Sequence, residues 1–363
     1  MAGKPCGHDA GTSSTTKVGT GTARRAGRSY NDRPMEIIQT VTGPLPVDKL
    51  GLTLVHEHLL IGYPGWFMDA LAPPFVRSEV LVRCVDKLAE LHALGVRTLV
   101  DPCPSDLGRD VEFMAEASSR SGVRIVCATG AYKEDSGIPY TLNALHPDEL
   151  TAICVKELSE GIGGTGIRAG LVKVASGAPR ITPYEEKLIR AGGRAAAHVG
   201  CPVLTHTDQA LLGDVQVALL VESGVPAHRI LVGHCDGRND HAYHRAVADL
   251  GAYVGFDRFG LTIALKDEER IEAVLRMINA GYVRSLCLSH DAICGSWLGR
   301  PVFEGKHVVT AERLAARVPQ WDPTHLFKNI LPIMRAQGLT EAAERTLLVD
   351  NPARYFRGSE PPR

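Results

Sequence analysis

Gly51-Leu52-Thr53-Leu54-Val55-His56-Glu57-His58-Leu59-Leu60 is an apolar run whose only charged and imidazole side chains sit at its centre, and its composition predicts a strand. Side chains along a strand repeat every two residues, so His56 and His58 are expected on one face. Imidazole nitrogen is a preferred ligand for zinc and neighbouring divalent metals. Two such rings from one backbone segment supply half of a metal shell at little entropic cost. Two buried, hydrogen-bonded histidines would leave the same pattern, and the rest of the chain decides between the two.

Moving outward, short apolar runs alternate with longer amphipathic segments. The runs are Leu52 to Leu60, Thr98 to Pro102, Ile125 to Gly130, Gly170 to Ala175, Pro202 to Thr207, Ile230 to Cys235, Ala252 to Phe256 and Ser285 to Asp291. Helical periodicity covers Ser78 to Leu94, Arg109 to Ser121, Pro147 to Glu160, Thr182 to Val199 and Asp267 to Ala280, with glycines such as Gly95, Gly122, Gly200 and Gly281 where helices end. Near-continuously hydrophobic strands separated by helices imply a parallel sheet buried on both faces. Eight such units predict a closed (β/α)₈ barrel, and the absence of GxGxxG after the first strand disfavours a dinucleotide fold.

A barrel of this kind carries its chemistry at the C-terminal ends of its strands. Those ends read His56 and His58 on the first strand, Lys173 on the fourth, His206 on the fifth, His234 on the sixth and Asp291 on the eighth. A lone strand-end histidine is usually just a satisfied polar residue. Six metal-compatible groups at corresponding ends are not explained that way. Lys173 is the puzzling member, because an ammonium cannot ligate a cation and would be repelled by it. Carboxylation by CO₂ would make it a carbamate able to bridge two metals; one carbamate, one carboxylate and one hydroxide then nearly balance two divalent cations.

Composition sets the outer limits. With 363 residues and 44% hydrophobic content the chain can bury a large core. Forty basic against forty-one acidic residues leave a formal charge of −1, which recruits neither nucleic acid nor an anionic membrane and suits a small-molecule substrate. The nine cysteines are scattered, never paired as CxxC, and read as reduced residues of a cytoplasmic protein. No stretch approaches the length of a transmembrane helix. Residues 1–34, rich in Gly, Ser, Thr and Ala with several arginines, are expected to be a disordered extension, with Met35 an alternative start, and residues 35–363 a single barrel domain.

The chain resembles the phosphotriesterase family of the amidohydrolase superfamily, in its lactonase-like branch. The resemblance is carried by Thr40-Val41-Thr42-Gly43-Pro44-Leu45, the Gly51 to His58 strand, Lys173-Val174-Ala175-Ser176, Thr205-His206-Thr207, Gly233-His234-Cys235-Asp236, Gly255-Phe256-Asp257-Arg258-Phe259-Gly260, Ser289-His290-Asp291 and Asn351-Pro352-Ala353-Arg354-Tyr355-Phe356. It implies that His56, His58 and Asp291 hold the more buried of two metals and His206 and His234 the more exposed one. Carboxylated Lys173 and a hydroxide would bridge them, and Asp291 would also accept or shuttle the proton. Zinc is the first expectation for the metals, with cobalt, manganese or iron as alternatives. The resemblance further implies that Tyr132 orients a substrate carbonyl, that Arg258 stands near the pocket rim, and that the protein is a homodimer.

Departures from the pattern are informative. Lys133-Glu134-Asp135-Ser136 stands where the lactonase-like branch tends to carry aromatics, which argues for a polar substrate over a long acyl chain. Arg258 could instead be a structural partner of Asp257 or Asp236. His290 should face the helices, as the strand neighbour of Asp291, and His241 and His244 should lie on a solvated helix face. Cys235 and Cys294 adjoin the site without a base at a readable spacing, so a cysteine nucleophile is disfavoured. The expected activity is hydrolysis of a lactone or carboxylic ester, followed in order by a phosphotriester or phosphodiester and by an amide or carbamate. A binding protein with a vestigial site is the alternative outside enzymology.

Overall fold

In the computed structural model, which describes residues 36–303 and 307–359, a parallel sheet is wound through the order β3 (Leu52–Leu54), β5 (Val96–Asp101), β6 (Arg124–Gly130), β7 (Leu171–Ser176), β8 (Val203–Thr207), β9 (Ile230–Val232), β10 (Tyr253–Phe256) and β11 (Leu286–Leu288). Ahead of it, β1 (Ile37–Thr40) and β2 (Gly43–Pro46) form an antiparallel hairpin. Helices α1 (Arg77–Ala93), α2 (Val111–Ser121), α3 (Tyr140–Ala144), α4 (Pro147–Ser159), α5 (Pro183–Val199), α6 (Gly213–Glu222), α7 (His241–Asp249) and α8 (Asp267–Asn279) fall between the strands. The expected (β/α)₈ barrel is present, with strand bounds within a few residues of the sequence reading. The expected disordered extension over 1–34 lies outside the described residues.

The first strand departs from expectation. It is not continuous: the chain bends at Val55–His56, and the second half, β4 (His58–Ile61), pairs with β12 (Ile293–Trp297) instead of continuing beside β5. This switch of partners closes the barrel. His56 N donates to Ser289 Oγ, Asp291 N to His56 O and His58 N to Ala292 O. The Glu57 carboxylate, fully buried, accepts from His290 N, His290 Nδ1 and Ala292 N at 2.9, 2.6 and 2.9 Å. A flat strand would turn Glu57 outward without reaching these donors; the bend lets it stitch the first strand to the last.

Side-chain alternation divides the core in two. Leu171, Leu204, Leu231, Tyr253 and Cys287 point into the barrel, where Ile38 and Leu45 of the hairpin and Tyr355 and Phe356 of the C-terminal helix Asn351–Arg357 pack with them. Val172, Val203, Val232, Val254 and Leu286 point out against the helices. On four of the strands the interior parity runs from an apolar floor to a polar upper layer, Leu171 to Lys173, Leu204 to His206, Tyr253 to Asp257 and Cys287 to Asp291. Crowding is tight there: a Cβ at Gly130, where φ is +116°, would lie 1.9 Å from Lys173 O, so only glycine lets β6 approach β7.

Glu57→Ala would strand three buried donors and is expected to lower the unfolding free energy by about 3–5 kcal/mol. Urea unfolding at constant slope would read this as a lower midpoint. Glu57→Gln, which keeps an acceptor, should cost less. A loss below about 1 kcal/mol for the alanine variant would deny the carboxylate its closing role.

Candidate active site

The six residues read from the strand ends meet at the polar layer, lining a cavity of about 660 Å³. Despite the bend at Val55–His56, both first-strand histidines face it, their rings 5.3 Å apart. His234 and Asp291 take left-handed backbone, with φ of 61° and 55°, so β9 and β11 end short of the residues the sequence assigned to them. Such conformations cost roughly 1–3 kcal/mol each and persist where the surroundings hold them, as the Ser289, Glu57 and Asp257 contacts do here.

Each ring is held by one nitrogen and presents the other. His56 Nδ1 meets Asp257 Oδ2 at 2.8 Å, and His234 Nδ1 meets Asp257 Oδ1 at 2.9 Å, so one buried carboxylate orients both. His58 Nδ1 lies 3.1 Å from Cys103 Sγ and 3.4 Å from Asp101 Oδ1, while Asp101 itself accepts from Leu59 N and Cys103 N. His206 Nε2 meets Asp208 Oδ1 at 2.8 Å, leaving Nδ1 facing the Tyr132 hydroxyl at 3.2 Å. The presented Nε2 atoms of His58, His56 and His234 stand 3.0, 3.5 and 3.8 Å from the Asp291 carboxylate. Lys173 Nζ reaches to 3.5 Å of His56 Nε2 and donates to Thr205 O at 3.2 Å.

Burial decides the protonation of the rings that matter most. It pushes His56 down to about 3, helped by the Lys173 charge, and His206 well below its ordinary value, so both present a lone pair at neutral pH. It also pushes Lys173 down to about 8. Burial opposes ionisation of Asp291, yet His234, His56, His58 and Arg258 hold its carboxyl well below the usual range. Ligand atoms of His56, His234 and Asp291 all lie within 4.8 Å of one another. Neutral imidazoles at His56 and His206, an ionised carboxylate at Asp291, and rings each anchored through the second nitrogen make a donor set that divalent cations take. His58, which Cys103, Asp101 and Asp291 hold well above its ordinary value, would release its proton on binding, and the residues present fit a metal pair.

Tyr132 and Arg258 also reach the cavity. Burial holds the Tyr132 phenol well above its ordinary value, so it stays a hydrogen-bond donor. Arg258 Nε donates to Asp291 Oδ2 at 3.0 Å; its guanidinium pairs with neither Asp257 nor Asp236, because the first is taken by the two histidines and the second by Arg270 Nε at 2.9 Å. His290 faces away from the cavity as expected, with Nε2 accepting from Leu326 N. His244 corrects the expectation of a solvated face: it is fully buried, shares the inward stripe of α7 with Val247 and Ala248, and bonds Cys235 O at 2.9 Å. Cys235 and Cys294 are buried, and burial holds both thiols well above the usual range, which fits their exclusion as nucleophiles.

The anchoring residues Asp257, Asp208 and Asp101 were not singled out from the sequence as orienters. A carboxylate at the end of an apolar strand, as in Gly255-Phe256-Asp257, was the available signal. Lys133 belongs with them, its Nζ 2.5 Å from Asp208 Oδ2 and 3.1 Å from Asp135 Oδ1 at the cavity wall. Replacing Asp257 by Asn should loosen both His56 and His234 and weaken metal binding about 10–100-fold, measured by chelator competition, with the far-ultraviolet dichroism unchanged. Wild-type affinity in that variant would remove Asp257 from the site.

Comparison with known proteins agrees with this geometry. The family model described as the phosphotriesterase family matches residues 36–356. A phosphotriesterase homology protein of Mycobacterium tuberculosis is 32% identical over 89% of this chain and 98% of its own length. An aryldialkylphosphatase of Saccharolobus solfataricus is 32% identical over 85% of this chain and 95% of its own. Among solved structures, a mutant of a PTE-like lactonase from Deinococcus radiodurans superposes with a TM-score of 0.82 at 38% identity, covering 88% of this chain and 99% of the other. With a family match across nearly all of the barrel, the chain belongs to the phosphotriesterase family.

Proposed function

We propose that the protein is a binuclear metal-dependent hydrolase that attacks a lactone or carboxylic-ester carbonyl. The observation that carries the reading is the convergence of four histidines, a lysine and an aspartate at the barrel mouth, each imidazole anchored through its far nitrogen. When bound, two divalent ions, zinc first among the candidates, would supply Lewis-acid activation of the substrate oxygen and of the attacking water. His56, His58 and Asp291 would hold one ion, His206 and His234 the other, and Lys173 both.

Lys173 is read as carboxylated. Its buried amine, pushed down to about 8, keeps a far larger neutral fraction near pH 7 than a solvent-exposed lysine, and the neutral amine is the form that adds CO₂. Asp291, with Oδ2 toward the cavity and Arg258, is placed to take the proton released from the nucleophile. The Tyr132 hydroxyl beside His206 is placed to donate to the carbonyl oxygen. Leu261, Trp297 and Trp321, from the segments that follow β10 and β11, line the cavity and give it an apolar wall. The name of the lactonase relative supports the ester reading, and that of the aryldialkylphosphatase relative supports a phosphotriester as the runner-up; amides and carbamates come third.

The eight cysteines among the described residues are free and buried, which suits a reducing cytoplasm, and no helix there is long and apolar enough to cross a membrane. We place the protein in the cytoplasm as one barrel domain, acting on a small molecule, with a homodimer as the expected assembly.

Lys173→Met should lower metal content from about two per chain to below one and reduce kcat/KM by about 10³-fold or more, with reconstitution of the wild-type apoprotein accelerated by bicarbonate. Turnover of γ- and δ-lactones, aryl esters, a phosphotriester and N-acyl amides then assigns the class. Full activity in the methionine variant would sink the binuclear reading. Tyr132→Phe should lower kcat/KM for lactones about 10–100-fold with metal content intact; an unchanged value would deny the phenol its role.

A further inference from the structure

We infer that the cavity is built for a substrate that carries a carboxylate, held by Arg258 with Arg238 at the rim. The inference deepens the hydrolase reading and rests on it.

The observation is an imbalance between committed and uncommitted charge. Three carboxylates line the cavity, and each is engaged. Asp135 and Asp208 share Lys133, at 3.1 and 2.5 Å, and Asp208 also holds His206. Asp291 meets His58 Nε2 and Arg258 Nε, both at 3.0 Å. What remains uncommitted is positive. Arg258 uses Nε on Asp291, while its Nη1 and Nη2 groups have no hydrogen-bond partner among the described residues. The Arg238 side chain, exposed at the same cavity, has none there either.

Arg258 is also fixed before any ligand arrives. Its backbone N–H donates to Asp236 Oδ2 at 3.0 Å, and that same oxygen accepts from the fully buried Arg270 Nε at 2.9 Å. The side chain is only 17% exposed. A guanidinium held at its Nε edge offers the Nη pair as a planar fork matched to a carboxylate. A neutral substrate would cover those donors without pairing them, which costs binding, whereas a carboxylate pairs both. Because Arg258 and the reacting centre share Asp291, the acid group must lie only a few bonds from the scissile acyl carbon. A lactone with a carboxylate on its ring fits this. Water adds to its acyl carbon, the acyl–oxygen bond breaks, and the ring oxygen takes a proton to give a hydroxy diacid.

The test compares the metal-loaded enzyme on γ-butyrolactone-γ-carboxylate and on the neutral primary amide of the same acid. The carboxylate should be preferred in kcat/KM by about 10–100-fold. In Arg258→Met that ratio should fall toward one, and in Arg238→Met it should fall partway, whatever happens to the absolute rates. Glutarate, a non-hydrolysable relative of the product, should bind the metal-free wild type and bind Arg258→Met at least about tenfold more weakly by calorimetry. Equal turnover of the two lactones by the wild type, or equal glutarate binding by wild type and variant, overturns the carboxylate anchor and leaves the hydrolase reading intact. Arg258-dependent glutarate binding with no turnover of either lactone, ester, phosphotriester or amide supports the anchor and overturns the hydrolase reading.

Discussion

The buried carboxylate of Glu57 is the contact on which the rest of the structure depends. It stands between His56 and His58 in the chain, and the groups it captures, His290 N, His290 Nδ1 and Ala292 N, flank Asp291. One side chain therefore closes the barrel and brings three candidate metal ligands to their common place. Burying a carboxylate is costly, and burial does push Glu57 up from its ordinary value, but two backbone donors and an imidazole offset that cost. The same contact obliges the first strand to bend, which is why β4 leaves β5 and joins β12.

Above that closure the interior is organised by parity. The lower layer, with Leu171, Leu204, Tyr253 and Cys287, is dry and packed, and inward-parity positions further along the same runs carry Lys173, His206, Asp257 and Asp291. Placing them on rigid strands removes most of the entropy that a loop-borne site would lose on binding, and placing them over an apolar floor lowers the dielectric around them. The consequence is electrostatic. Burial strips the proton from His56 and His206 and weakens the hold of Lys173 on its own, while Asp291 stays ionised because the neighbouring imidazoles and the Arg258 guanidinium outweigh its desolvation.

A second ring of residues gives this layer its accuracy. Asp257 is shared by His56 and His234, Asp208 by His206 and Lys133, and Asp101 lies against His58. These carboxylates select which ring nitrogen faces the cavity, and so decide the tautomer that a ligand meets. They also neutralise one another's partners, which leaves the two arginines at the wall as the uncommitted charge.

Much was legible in the sequence because it depends on local periodicity. Eight apolar runs separated by amphipathic segments determined a parallel barrel, and the barrel rule located His56, His58, Lys173, His206, His234 and Asp291 at its mouth. What depends on contacts between distant segments was decided by the tertiary structure alone. No periodicity tells that the first strand bends, since the cause is a carboxylate meeting amides more than two hundred residues away. The inward turn of His244 and the pairing of Arg258 with Asp291 have the same origin, because a side chain's partner is set by whichever donors the fold brings within reach. Sequence thus specified which groups line the mouth, while only the packed barrel set the nitrogens they present and the charges left unpaired.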